Sequence, residues 1–275
     1  MHDKEERCST MRDETVGLCI LVHAEPKTGK TWLACTAPKP LLYLDVEGSS
    51  RFVPFIKRHT WKLGEPLPTQ EQKPWDTAIL NIRTIKEARR AYEYLRDANH
   101  PFRSVVIDTF SELQKRIIDE SVGPDHKVEQ SDWDVVLRQA ETLCRQVRDL
   151  MEHPTHPLDC VCFTTHTWLK DKKQRPMVKG QFAITLPGFP DVLAYMYAAT
   201  DDETGKVERR LAIQPVLPEW VAGDRTHVLT ERLGSVIVLP EYVRGKTPHT
   251  LERMWRAINQ PEVSADTKET TSETV

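Results

Sequence analysis

The chain has 275 residues, 39% hydrophobic and 29% charged, with a formal net charge of −3. That length buries a sizeable core in one or two domains, and the composition excludes a wholly disordered chain. No run approaches the ~18–20 consecutive apolar residues of a membrane span, and the charged stretch from Met1 to Glu14 has no apolar secretory core, so a cytoplasmic location without a membrane partner is expected.

The first fifteen residues carry five acids and three bases, and the last fifteen carry four acids and one base. These acidic ends leave a body of formal charge +2 between them. Residues 261–275 lack large apolar groups apart from valine and read as a disordered acidic tail. Residues 1–14 read as a flexible N-terminal tail. A single domain over 15–260 is expected between them. Six cysteines (Cys8, Cys19, Cys35, Cys144, Cys160, Cys162) read as free thiols of a reducing compartment. Cys160 and Cys162 lie near His153, His156 and His166, but no second close-spaced cysteine pair supports zinc.

Along the chain, strand and helix patterns alternate. Val16–Ala24 is a short apolar run of buried-strand type. Lys30–Thr36 reads as a brief helix stopped by Pro38 and Pro40. Leu41–Val46 is a second strand. Residues 53–76, with four prolines and three aromatics, read as an irregular excursion. Thr84–Asn99 is an amphipathic helix with Ile85, Ala88, Tyr92 and Leu95 on one stripe. Ser104–Asp108 is a third strand, and Glu112–Val122 a helix.

The longest helix is expected over Ser131–His153, with Ser131 and Asp134 as a capping box. Its buried stripe is Trp133, Val136, Leu137, Ala140, Cys144, Val147 and Met151. Leu158–Thr164 is a fourth strand. Leu193–Ala199 and Arg209–Pro215 flank a polar turn and read as a hairpin. Val236–Leu239 is a last strand. Short buried strands alternating with helices imply an α/β fold with a mostly parallel sheet.

The strongest chemical signal is the run AEPKTGKT from Ala24 to Thr31, a phosphate-loop pattern with Ala24 in place of the usual first glycine. A strand precedes it and a helix follows. Glu25, Pro26, Lys27, Thr28, Gly29, Lys30 and Thr31 would cradle the phosphates of ATP. Gly29 permits the turn, the helix start adds its dipole, Lys30 reaches the β- and γ-phosphates, and the Thr31 hydroxyl ligates Mg²⁺. The run VVID ends in Asp108, seventy-eight residues after Lys30. An acid there is expected beside the phosphate loop, holding Mg²⁺ directly or through water.

A third run, LLYLDVEG, ends in Asp45 and Glu47, which alternate to one side of an extended chain. Glu47 is placed to orient or deprotonate an attacking water. In CFTTH, a strand ends in hydroxyls and His166, where a polar group can sense the γ-phosphate. The segment from Trp168 to Gly180 follows, with five cations (Lys170, Lys172, Lys173, Arg175, Lys179) and one acid. Cations neutralise phosphates, and Trp168 can stack on a base, so this loop reads as a DNA-binding candidate. Arg225, in GDR, is either a finger for a neighbouring subunit's site or a surface partner of Asp224. No Asn-Lys-x-Asp motif for guanine occurs.

Together these residues resemble the RecA-like P-loop ATPases, and within them the phage-encoded ATP-binding proteins of the Sak-four single-strand annealing group. The resemblance rests on AEPKTGKT, APKPLLYLDVEGSSRF, VVIDTFSELQ, FTTH, LPGFPD and GDRTHVL, and runs from about Val16 to Leu251. It implies a RecA-like core with helices on both sheet faces and a C-terminal β-hairpin. It also implies water activation by Glu47, γ-phosphate sensing by His166 and DNA contact by the 168–180 loop. The implied activity is Mg-dependent, DNA-stimulated ATP hydrolysis. The implied partners are single-stranded DNA, further copies of the chain in a ring or filament, and a single-stranded-DNA-binding protein, in the cytoplasm of a phage host. Two rival readings are an ATP-driven replication factor (a helicase loader or minimal helicase core) and a small-molecule kinase, for which no Arg-rich lid pattern is found.

Overall fold

The computed structural model describes residues 15–69, 71, 74–123 and 125–260. Both expected tails therefore lie outside the described residues. In chain order the first elements are β1 (Leu18–Ala24), α1 (Lys30–Ala34), β2 (Leu41–Asp45), β3 (Arg58–Thr60), β4 (Thr77–Asn81), α2 (Ile85–Asp97) and β5 (Ser104–Asp108). Then come α3 (Phe110–Val122), α4 (Gln130–Asp149), β6 (Cys160–Lys170), β7 (Lys173–Pro176) and α5 (Phe182–Thr185). The chain closes with β8 (Val192–Thr200), β9 (Val207–Ala212), β10 (Gly223–Asp224), α6 (Val228–Leu233), β11 (Val236–Val238) and α7 (Thr250–Asn259).

One sheet organises all of this, in the order β11-β9-β8-β1-β6-β5-β2-β4-β3. From β8 through β3 every neighbouring pair is parallel. β9, β11 and β10 add antiparallel pairs on the β8 side. The expected α/β class, with a mostly parallel sheet, helices on both faces and a C-terminal hairpin, is what the structure has. The hairpin's first strand, β8, is itself part of the parallel core.

Alternation along each strand feeds two separate cores. Cys19 and Leu21 of β1, with Leu42 and Leu44 of β2, pack under α2, α3 and α4 through Ile85, Ala88, Leu113, Ile117, Val136 and Cys144. Leu18, Ile20 and Val22, with Leu41 and Tyr43, pack on the other face against α1, α6 and α7 through Leu33, Leu229, Leu251 and Met254. A sheet covered on both faces needs near-continuous apolar strands, which explains runs such as LCILV and LLYL.

Several boundaries differ from expectation for local reasons. The capping box of α4 uses Asp132, which accepts from the Glu129 N–H at 2.8 Å, ahead of the expected pair Ser131 and Asp134. β3 lies within the 53–76 excursion and pairs with β4, a strand absent from the sequence reading. β6 continues past Thr164 to Lys170, so His166 and Trp168 belong to a strand. The expected loop after it is a β-hairpin: Trp168 pairs with Arg175 and Lys170 with Lys173. Asp171 and Lys172, with φ of 53° and 60°, form its two-residue turn, both in the left-handed region that suits tight hairpins. No described helix is long and apolar enough to cross a membrane.

Candidate functional site

The carboxyl ends of β1, β6, β5 and β2 lie side by side in that order. Pairing sets Ala24 opposite His166, and Asp45 opposite Asp108. The phosphate loop, His166, Asp108 and Glu47 therefore reach one sheet edge, where open parallel sheets bind ligands. β6 stands between β1 and β5, so Asp108 is one strand farther from the loop than expected. Its side chain closes the gap: the Thr31 hydroxyl donates to Asp108 Oδ2 at 2.7 Å.

Lys27 (φ 65°) and Gly29 (φ 113°) both turn the phosphate loop through the left-handed region. Successive backbone N–H groups in such a path form an anion-binding concavity. A Cβ on Gly29 would stand 3.2 Å from Arg209 Cδ and Met196 Cε, so both the backbone angle and the space favour glycine. α1 has only five residues, so its dipole is small and the loop amides carry the anion affinity. Thr28 donates to Glu25 O at 2.8 Å and braces the loop, while Glu25, Pro26 and Lys27 are exposed at its rim.

Lys30 is buried, with its ammonium folded back onto Ala24 O and Glu25 O, each at 3.0 Å. Burial pushes its pKa down; Asp108, Glu47 and Glu25 oppose that shift. A bound phosphate would replace both carbonyl acceptors.

Asp108 is fully buried and takes hydroxyls from Thr31, Ser49 (2.8 Å), Tyr43 and Thr164. A buried carboxylate needs such donors, because leaving it unpaired costs several kcal/mol. Burial, and then the neighbouring Asp108 charge, push the Tyr43 phenol pKa well up. Thr31 and Asp108 present adjoining hydroxyl and carboxylate oxygens, a hard all-oxygen donor set that fits Mg²⁺. Tyr43, Ser49 and Thr164 are not among the expected site residues. Their signal is present in the sequence: each hydroxyl stands two residues from an acid or from His166, Tyr43 from Asp45, Ser49 from Glu47 and Thr164 from His166.

The two acids of β2's end have separate tasks. Asp45 is enclosed in its own turn, accepting from the N–H groups of Gly48 (2.7 Å), Ser49 (3.1 Å) and Ser50 (3.2 Å). That turn, with Gly48 at φ 76°, leaves Glu47 pointing at the edge. Glu47 Oε1 accepts from Thr109 Oγ1 at 2.7 Å and lies 3.0 Å from His166 Nε2. The His166 hydrogen bond is the main reason the Glu47 pKa falls; burial opposes it. Glu47 is thus an ionised acceptor at neutral pH. On its other side, His166 Nδ1 lies 3.5 Å from Lys30 Nζ, so the imidazole joins the loop lysine to the acid.

His166 is also tied to the hairpin. Its N–H donates to Ser111 Oγ at 3.0 Å, Ser111 donates to Met177 O at 2.8 Å, and Met177 N–H donates to His166 O at 2.7 Å. Next along β6, Thr167 donates to Arg175 O at 3.0 Å and faces the buried His23 at 3.1 Å. Among the described residues, no ion pair involves Lys170, Lys172, Lys173, Arg175 or Lys179. The pairing register puts Trp168, Lys170, Lys173 and Arg175 on one face of the hairpin. Lys170 lies over the Trp168 ring, 5.3 Å from its centroid.

Arg225 is not brought to this edge. It sits at the amino end of the parallel strands, donating to Gly188 O at 2.6 Å with Asp191 at 3.9 Å. Asp224, the partner expected for it, is engaged instead by Thr226 and Thr230.

The AAA domain family matches this chain over residues 17–226. No curated protein matches it. Among solved structures, a KaiC-like protein of the hyperthermophilic archaeon Pyrococcus horikoshii is similar at 13% identity and a TM-score of 0.40, covering 82% of this chain and 90% of that one. The flagellar accessory protein FlaH of Methanocaldococcus jannaschii is similar at 10% identity and a TM-score of 0.40, covering 72% and 78%. A phosphate loop at the carboxyl edge of a parallel sheet, and a family match across most of the length, lead to one conclusion: the chain belongs to the AAA domain family and has a P-loop ATPase fold.

Proposed function

We propose that this protein hydrolyses ATP with Mg²⁺, binds single-stranded DNA on the β6–β7 hairpin, and couples the two to promote single-strand annealing in phage recombination or replication. The observation that carries the reading is the continuity of β6: His166 touches Lys30 and Glu47, and the strand then becomes the basic hairpin. The likeness to the Sak-four group in AEPKTGKT, DVEG and VVIDTFSEL supports the annealing role.

ATP would lie along residues 25–31, with the Lys30 ammonium leaving the loop carbonyls for the β- and γ-phosphates. Thr31 and Asp108 would hold Mg²⁺, which when bound neutralises phosphate charge. Glu47, ionised and held by Thr109 and His166, accepts the proton of the attacking water. Loss of the γ-phosphate removes a partner of Lys30 and His166, and the shift passes through the backbone bonds of His166 to the hairpin. Such coupling requires that ATP favour one DNA-binding state over another. Arg225, far from its own phosphate loop, acts as a finger only if copies of the chain assemble in a ring or filament.

The test is ATP hydrolysis with and without single-stranded DNA, with Lys30→Ala as control. Stimulation by DNA supports the reading. Turnover indifferent to DNA leaves an ATPase and removes the DNA role.

A further inference from the structure

Arg209 lies outside the phosphate-loop motif, far along the chain, yet its side chain reaches that loop. It belongs to β9 and pairs with Ala198 of β8. β8 pairs with β1 so that Met196 lies opposite Ala24, the last residue of β1. Ala198 and Arg209 therefore stand two residues beyond the end of β1, at the carboxyl edge of the sheet. Side chains alternate along a strand, so Arg209 shares its face with Leu211, which belongs to the same core as Leu33 of α1. Its Cδ and Nε come within 3.2 Å of the position that a Cβ on Gly29 would occupy. The side chain thus lies against the glycine that turns the loop.

The two arginines of β9 differ in their partners. Arg210, on the opposite face, pairs with Glu208 at 3.1 Å and Asp201 at 3.8 Å. Arg209 is exposed, and among the described residues no hydrogen bond or ion pair engages its side chain. The strand beneath it is fixed from both sides: β8 pairs with the whole of β9, and Leu239 N–H donates to Arg209 O at 2.9 Å. A free guanidinium is held on a rigid support, beside a loop whose backbone N–H groups already attract anions.

The other groups set the direction of a bound triphosphate. Lys30 Nζ and His166 Nδ1 lie 3.5 Å apart, and Thr31 meets Asp108, all on the β6 and β5 side of the loop. With the γ-phosphate there, the rest of the nucleotide leaves the loop the other way, toward β8 and β9. The hollow lined by Gly29, Trp32, Met196, Arg209 and Tyr242 measures about 40 Å³, little more than one water's share of the liquid and too small for a purine. What Arg209 offers is charge, as a planar fork of N–H donors that matches phosphate oxygens. We infer that Arg209 binds a non-transferred phosphate of the nucleotide, α or β, and anchors it without joining the chemistry. This inference rests on the ATP-binding reading above.

A group that holds ground state and transition state alike changes affinity and not the rate of the bound complex. Arg209→Ala should weaken binding of ADP and of a non-hydrolysed ATP analogue by a common factor, roughly ten- to hundredfold for a lost charge-assisted bond. Displacement of fluorescently labelled ADP measures it. KM for ATP should rise by a similar factor, with kcat little changed. Arg209→Lys keeps the charge and loses the fork, so it should recover part of the affinity. Wild-type protein that binds no nucleotide overturns the ATP reading and the role of Arg209 together. Wild-type binding that Arg209→Ala matches overturns the role of Arg209 alone, as does a lysine variant no better than alanine or a loss confined to kcat. Should the variants fail to fold, phenylglyoxal labelling of the wild-type protein, located by mass spectrometry, decides the matter. Protection of Arg209 by ADP is expected; equal labelling with and without ADP contradicts the inference.

Discussion

The carboxyl edge of the parallel strands and the hairpin that leaves it treat charge in opposite ways. At the edge, Asp108 is enclosed by four hydroxyls and Asp45 by its own turn. On the hairpin, Lys172 and Lys173 are exposed, and among the described residues no carboxylate pairs with them or with Arg175. An enclosed charge is tolerable only when bonded, whereas an exposed cation costs little unpaired. The edge is therefore preorganised around charges of its own. The hairpin leaves its cations open to solvent, with no need of a partner within the chain. His166 belongs to both.

The largest effect is expected at Lys30. Lys30→Ala should abolish ATP turnover and leave the thermal transition intact; unchanged turnover would remove the phosphate-loop assignment. Glu47→Gln should keep ATP binding and lower hydrolysis by about 10²–10⁴-fold, the range of a general base. Because the folded Glu47 pKa lies below the ordinary carboxylate value, wild-type turnover should not decline on Glu47's account until the pH falls below that range. Normal hydrolysis by Glu47→Gln would move the water-activating role elsewhere.

Next comes His23, which sits beneath both regions. Its Nε2–H donates to Val221 O at 2.7 Å, and burial lowers its pKa to about 4. The neutral ring is favoured in the fold, so its stabilising contribution is present above the unfolded pKa near 6.5 and is lost as pH falls through about 4. At ~1.4 kcal/mol per pKa unit that contribution is about 3 kcal/mol. Denaturant unfolding between pH 7 and pH 4 should show wild-type protein losing stability faster than His23→Gln; parallel profiles would contradict this.

Smaller effects test the packing on each side. Tyr43→Phe removes one donor to the buried Asp108 and should cost about 2 kcal/mol, read as a lower denaturant midpoint with an unchanged slope. Thr84→Ala removes the cap of α2, where Thr84 Oγ1 accepts from the Glu87 N–H at 3.2 Å and Glu87 Oε2 accepts from the Thr84 N–H at 3.1 Å. Stability should fall by about 1 kcal/mol, with ATP turnover unaffected. A fall well above that would mean the helix start also supports the site.

Elements whose information is local are legible in the sequence. β1, β2 and β5 are uninterrupted apolar runs, and the phosphate loop is fixed by a strand, a glycine and a helix start in succession. β3, with the residues Arg-His-Thr, carries no apolar pattern and exists only by pairing with β4. β4 is five residues long and follows a proline-rich stretch, which masks it. The hairpin is visible by its charge alone, since Asp171-Lys172 lacks the glycine that usually marks a two-residue turn. α7 has no counterpart in the sequence reading, although Leu251, Met254 and Ala257 line its buried face. In the site, Lys30, Thr31, Glu47, Asp108 and His166 are legible because each stands at a strand end or in a motif. The hydroxyls around Asp108 and the packing of Trp220 beside β7 join segments far apart in sequence, and no local pattern encodes them.

In the proposed function, nucleotide state and DNA affinity are coupled through His166. The direct measurement is single-stranded DNA affinity with ADP and with a non-hydrolysed ATP analogue, for wild-type protein and His166→Ala. The wild-type protein should show two different affinities and, by reciprocity, a matching effect of DNA on nucleotide affinity. His166→Ala should show a single affinity. Equal wild-type affinities in both nucleotide states would contradict the coupling.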